Sequence, residues 1–213
     1  MRILLVDDHK LMCDGLRAVL EREQLEVVGE ASSGHEAVAL AHKLRPDLVL
    51  MDISMPDLNG IDATRRIVAE MRTKIMAVSM NADRRYVVAM FKAGAVGYLL
   101  KNSSSEELIQ AVRAVAQDQR YVSPAIAGVV VDDMVGRVTS SEDPSDDHLT
   151  QREREVLQLL AEGRSSKNIG SSLGIAVTTV ETHRRQIMTK LNLRTTAELT
   201  KYAIREGLTS VER

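Results

Sequence analysis

Over roughly the first 120 residues, short β-branched and aliphatic runs alternate with stretches whose apolar positions recur at helical spacing. This is the pattern of βαβ units wound around a parallel sheet. Five runs read as strands: Ile3 to Val6, Glu26 to Glu30, Leu48 to Met51, Ile75 to Ser79 and Val96 to Leu100. Between them, Leu16, Val19 and Leu20, then Ile61, Ile67 and Val68, then Leu108, Ile109, Val112 and Val115 mark the apolar faces of helices. Ser33 with Glu36, and Ser103 with Glu106, have the spacing of a capping box at a helix start. The expectation is an α/β, flavodoxin-like, five-stranded parallel sheet in the order 2-1-3-4-5, covered by helices on both faces.

The alternation stops after Tyr121. Pro124 to Arg137 reads as one helix, although its Val129 to Val131 run has poor helix propensity. Val138 to His148 combines Ser, Pro and four acids with almost nothing to bury, the composition of a flexible linker. From Leu149 onward only helical spacing remains, in four segments broken near Gly163, Gly174 and Asn192. Thr150 with Glu153 and Thr178 with Glu181 have capping-box spacing there. The chain therefore divides into an α/β domain over 1–120, a connecting helix and acidic linker over 121–148, and an all-α four-helix domain over 149–213.

Composition adds a compartment and an electrostatic sign. The chain has one cysteine, Cys13, and no possible internal disulfide, which fits a reducing compartment and a cytoplasmic protein. Asp7 and Asp8 interrupt the apolar start too early for a signal peptide, and no apolar run has the length of a membrane span. The net charge of -2 hides an asymmetry: residues 1–148 hold 17 Lys and Arg against 23 Asp and Glu, whereas residues 149–213 hold 11 against 7. A basic second domain has the sign needed for a polyanionic partner.

Acids at the ends of neighbouring parallel strands converge on one edge of the sheet. Asp7 and Asp8 close the first strand and Asp52 closes the third, while the fourth ends at Ser79 and the fifth runs into Lys101. Three carboxylates packed together repel one another unless a cation lies between them, and a hard dication such as Mg²⁺ takes carboxylate and phosphate oxygens. Asp52, between the acid pair and the amine, has the chemistry of a nucleophile toward phosphorus. Lys101 and the metal would balance charge on the phosphoryl oxygens. One strand-end Asp is commonly a solubiliser or helix cap; the joint occurrence of five such residues points to chemistry.

These residues, with the loop Met55-Pro56-Asp57-Leu58-Asn59-Gly60, make residues 1 to about 120 resemble a response-regulator receiver domain. The resemblance implies that Asp52 accepts a phosphoryl group from a histidine kinase. It implies that Asp8, Asp52 and the Ser54 backbone carbonyl hold Mg²⁺ with help from Asp7, and that Ser79 and Tyr98 form a switch. Many receivers have proline directly after the lysine, where this chain has Asn102.

In the second domain, Ser166 to Leu173 and a helix from Val177 or Thr178 to about Leu191 meet across a short turn at Gly174, the geometry of a helix-turn-helix. Val180, Ile187 and Leu191 mark the buried stripe of the second helix. Glu181, Thr182, Arg184 and Arg185 stand opposite as candidates for base edges and phosphates, and Lys167, Thr178, Thr179 and Lys190 as candidates for phosphate. The stretch from Leu149 to about Leu208 closely resembles the LuxR-type helix-turn-helix, and its pairing with a receiver is that of the NarL/FixJ family. The resemblance implies double-stranded DNA as a partner, base-directed roles for Glu181, Thr182 and Arg185, and a homodimer formed through the last helix, Ala197 to Arg205. Gly170 stands where that family usually has alanine, a change worth up to about 1 kcal/mol of helix propensity.

Three other functions fit these residues less well. A phosphoaspartyl phosphatase of the haloacid dehalogenase type needs a second Asp two residues after the nucleophile, and that position is Ser54, so an enzyme acting on an external substrate is not expected. RNA binding lacks a stacking platform, because Tyr202 is the sole aromatic residue after 148. A phosphorylation-independent regulator, with a receiver used for protein contacts alone, is opposed by the intact set of site residues.

Overall fold

The computed structural model describes residues 1–128 and 149–209. It turns each apolar run into a strand: β1 Arg2–Val6, β2 Glu26–Ala31, β3 Leu48–Met51, β4 Lys74–Ser79 and β5 Gly97–Leu100. Between and after them lie α1 Lys10–Arg22, α2 Gly34–Leu44, α3 Gly60–Glu70, α4 Arg84–Lys92 and α5 Ser105–Ala116. The strands read as continuous apolar runs because both faces of the sheet are covered. Leu4, Val6, Val49, Met51, Ile75 and Ala77 pack on one side with α2, α3 and α4. Ile3, Leu5, Leu48, Leu50, Met76 and Val78 pack on the other with α1 and α5.

The sheet has six strands, not five, in the order β2-β1-β3-β4-β5-β6, with every pairing parallel. The added strand, β6 Tyr121–Val122, pairs Gly97 with Tyr121 and Tyr98 with Val122. Two residues are too few for alternation to show in a sequence. They become a strand because the edge of β5 otherwise leaves its backbone groups unpaired.

Two helix starts in the sheet domain differ from the sequence expectation. Ser33 accepts from the Glu36 N–H, but the Glu36 carboxylate accepts from the Ser32 N–H, so only half of the reciprocal box forms. The cap of α5 is Ser104, accepting from the Glu107 N–H, rather than Ser103. Three consecutive serines offer three possible caps, and spacing alone does not choose among them. Val68, read as core-facing, is 37% exposed on the flank of α3 beside Gly94.

Residues 124–128 are helical; the rest of the helix expected to Arg137 and the linker Val138 to His148 lie outside the described residues. The chain splits into two compact units between Thr139 and Ser140. The second contains α6 Gln151–Ala161, α7 Ser166–Leu173, α8 Val177–Lys190 and α9 Thr196–Arg205. The breaks between these helices contain Gly163, Gly174 and Asn192, all with positive φ, a conformation open to glycine and tolerated by asparagine. Val156, Leu157, Leu160, Ile169, Val180, Ile187, Leu199 and Ala203 form its core. Thr150 and Glu153 make the expected reciprocal box, and Thr195 and Glu198 make another at α9. Thr178 does not cap α8: that helix begins after Ala176 with no side-chain cap. No helix among the described residues is long and apolar enough to cross a membrane.

Candidate functional site

Neighbouring parallel strands in matched register deliver the acids to one place. Val6 pairs with Met51 and the Asp52 N–H donates to the Val6 carbonyl at 2.8 Å, so Asp7 and Asp52 leave the sheet side by side. The Lys101 N–H donates to the Ser79 carbonyl, also at 2.8 Å, which fixes the start of the loop carrying the amine. The Lys101 ammonium lies 2.7 Å from Asp7 Oδ2 and 2.9 Å from Asp52 Oδ2. The other Asp52 oxygen accepts from the Ile53 N–H at 2.7 Å and the Ser54 N–H at 3.4 Å. Asp7 and Asp52 are buried and Asp8 is half-buried at the rim.

Sequence reading missed His9. Its imidazole Nδ1 stands 3.2 Å from Asp7 Oδ1 and 3.0 Å from Asp8 Oδ1, and its backbone N–H donates to Asp7 Oδ1. Its place directly after the acid pair was the available signal. One potential ligand atom from each of Asp7, Asp8, His9 and Asp52 falls within 4.8 Å of the others. Three carboxylates make this donor set suit a hard dication such as Mg²⁺; the imidazole is the one donor outside that preference.

Burial pushes the Asp52 carboxyl up to about 6, against the pull of Lys101 and with a further push from Asp7. Burial alone would lower the Lys101 ammonium, but Asp52 and Asp7 outweigh it and raise the pKa. A carboxyl whose folded pKa is raised binds more protons folded than unfolded. Its stabilising contribution is complete below the unfolded value near 3.8 and is lost as pH rises through about 6. In metal-free buffer the Asp52→Asn variant is therefore expected to gain stability relative to the parent as pH rises from 4 to 7. Urea midpoints of both proteins across that range check it, and a constant difference between them would refute the assigned shift.

Ser79, the last residue of β4, is buried, and its hydroxyl oxygen accepts from the Asn81 N–H at 3.1 Å. Tyr98 is fully buried on β5, and its hydroxyl donates to the Asn81 carbonyl at 2.7 Å. Burial raises its pKa. Asn81 thus links both proposed switch residues. Behind the acids, the loop that begins at Ser54 folds back so closely that a Cβ added at Gly60 would lie 1.9 Å from the Asp52 carbonyl oxygen. The Gly60 N–H donates to Ile53, and Asn59 caps α3 through the Asp62 N–H.

In the second unit, α7 and α8 meet across the turn at Gly174 as expected. Thr178, Thr179, Thr182, Arg185 and Lys167 are exposed. Val180 and Ile187 are buried, whereas Leu191 lies half-buried at the edge of the stripe. Three of the proposed contact residues are tied to other helices of the unit, and Thr182 donates to the Thr178 carbonyl of its own helix at 2.9 Å. The Glu181 carboxylate accepts from the Ser166 hydroxyl, Arg184 donates to Thr196 Oγ1 at 2.9 Å, and Lys190 lies 2.7 Å from buried Glu153. A methyl group added at Gly170 would meet the Ile175 carbonyl at 2.8 Å, so the glycine lets α7 approach the turn, beyond any effect on helix propensity.

Comparison with known proteins agrees with both halves. Residues 3–113 match the response regulator receiver domain, and residues 147–203 match the bacterial regulatory proteins of the luxR family. The transcriptional regulatory protein MctR of Rhizobium johnstonii is 39% identical over 212 residues, covering 99% of this chain and 96% of its own. The oxygen regulatory protein NreC of Staphylococcus epidermidis is 40% identical over 216 residues, covering 98% of this chain and 99% of its own. A crystal structure of a LuxR-family two-component response regulator from Aurantimonas sp. is 38% identical with a TM-score of 0.60, over 63% of this chain and 97% of that one. With a receiver fold in its first unit, a helix-turn-helix in its second and full-length regulatory relatives, the chain belongs to the NarL/FixJ family of two-component response regulators.

Proposed function

We propose that this protein is a cytoplasmic transcription regulator. In this reading it takes a phosphoryl group from a histidine kinase onto Asp52, binds double-stranded DNA as a homodimer through α8, and turns over no external substrate. The observation that carries the proposal is the Lys101 ammonium held between Asp7 and Asp52 at the end of a parallel sheet. An Asp52 carboxylate oxygen forms the new bond to phosphorus, and the donor departs with the electron pair of the bond it loses. Lys101 balances charge on the transferred oxygens. Asp7, Asp8 and Asp52, with the Ser54 carbonyl, are the residues to hold Mg²⁺; when bound, the ion neutralises charge on the acids and the phosphoryl group. Ser79 and Tyr98 then report the state of the pocket.

At the DNA, Thr182 and Arg185 are the proposed base readers, with Glu181 oriented by its bond to Ser166. Lys167, Thr178 and Thr179 face phosphate, and Arg184 and Lys190 contribute charge while bracing the fold. Phosphorylated full-length protein is expected to bind DNA selected from a random pool more tightly than untreated protein; equal affinity would overturn the phosphorylation-dependent reading. On that DNA, Arg185→Ala should lower discrimination at one base pair by about 1–3 kcal/mol. Lys167→Ala should weaken all sequences alike and reduce the salt slope by about one. Binding isotherms at several salt concentrations separate the two effects, and unchanged binding in both variants would overturn this docking.

A further inference from the structure

One buried residue joins the proposed switch to the loop that carries the proposed catalytic amine. Ser123, directly after β6, is 1% exposed. Its N–H donates to the carbonyl of Tyr98 at 2.9 Å. Its hydroxyl donates to the Glu107 carboxylate and lies 3.2 Å from the Ser103 hydroxyl. Tyr121 of β6 donates to the same Glu107 oxygen at 3.3 Å. The loop 101–104 is thus anchored at both ends. Lys101 is bonded to Ser79 at one end, and at the other the first turn of α5 is clamped to β6 through Glu107. Buried hydrogen-bonded groups resist separation, because a donor or acceptor left unpaired away from water costs about 1–3 kcal/mol. A shift of Lys101 or Tyr98 therefore strains bonds that converge on Ser123, and β6 is the strand from which the helix at 124–128 continues.

We propose that Glu107 and Ser123 are positioning residues that hold the Lys101 loop against β6 and couple the state of the acid pocket to β6 and the helix that follows. This coupling rests on Asp52 being the phosphoacceptor. A pocket that biases β6 must itself be biased by it, since coupling between two sites is reciprocal.

Backbone amide exchange of the full chain, with and without Mg²⁺ and beryllofluoride as a phosphoryl mimic, tests the proposal. The Ser79 and Lys101 amides report the pocket, and the Tyr121 and Ser123 amides report β6. The expected result is a change of about fivefold or more at both sets. Glu107→Ala should keep the pocket response and lose that of β6, while Glu107→Gln, which still accepts from Ser123, should retain both. A response confined to the pocket in the parent protein overturns the coupling and leaves the phosphoacceptor reading standing. No response at Ser79 and Lys101 overturns the phosphoacceptor reading, and the coupling with it. Should Glu107→Ala fail to fold, the parent protein and Glu107→Gln decide: a β6 response in both upholds the coupling.

Discussion

Asp52→Ala is expected to take up no phosphoryl group from a small-molecule donor such as acetyl phosphate in the presence of Mg²⁺, under conditions where the parent protein gains one. Sheet order selects this residue over its acidic neighbours. β3 lies between β1, which ends in the acid pair, and β4, which ends in Ser79, so Asp52 has carboxylates on one side, the hydroxyl on the other and the Lys101 ammonium 2.9 Å away. Asp7 keeps its own bonds to Lys101 and to the His9 N–H in the variant's expected structure, so loss of uptake would not reflect a collapsed pocket. Intact mass after incubation, with circular dichroism as a control for folding, makes the measurement. Uptake at the parental rate would place the nucleophile elsewhere.

Gly60→Ala is expected to be the most destabilising single-methyl change in the receiver, by about 3 kcal/mol. The added Cβ would lie 1.9 Å from the carbonyl oxygen of Asp52 and 2.9 Å from its carbonyl carbon, with the Ile53 Cα at 3.0 Å. These are backbone atoms of the strand end that presents the nucleophile, so no side-chain rotation relieves the contact. Relief requires moving either the start of α3, fixed by the Asn59 cap, or Asp52 itself. Loss of stability and slower phosphorylation should therefore appear together. A shifted denaturant midpoint with an unchanged slope would assign the effect to the folded state. A receiver as stable as the parent would show that the loop has room that the geometry denies.

How far the chain was legible follows from the range of each pattern. Runs such as Leu48 to Met51 and stripes such as Leu108, Ile109, Val112 and Val115 repeat locally, and a local repeat identifies the element it forms. The order of five strands is that of the flavodoxin-like fold to which the alternation points, and given that order the meeting of Asp7, Asp52 and Lys101 followed from where each strand ends. The four helices of the second unit were legible for the same reason, each ended by a residue suited to a left-handed turn. His9 was overlooked because one histidine after two acids carries no periodic signal.

By itself, then, the amino-acid sequence determined the two units, all their strands but the last and the helices of both, the family and the converging acids, since periodicity, strand ends and motif spacing are written within short windows. Only the tertiary structure decided β6, the clamp of Ser123 on Glu107, the closeness of Gly60 to Asp52, and the engagement of Lys190 by Glu153 and of Glu181 by Ser166. Each rests on one or two pairings between groups 8 to 37 positions apart, where the Glu107 to Ser123 separation is 16 and that of Glu153 to Lys190 is 37. A hydroxyl, an ammonium or a missing methyl looks the same in a sequence whether it faces water or a buried partner. The packed chain supplies the partner, and the energy of leaving it unpaired then makes the contact matter.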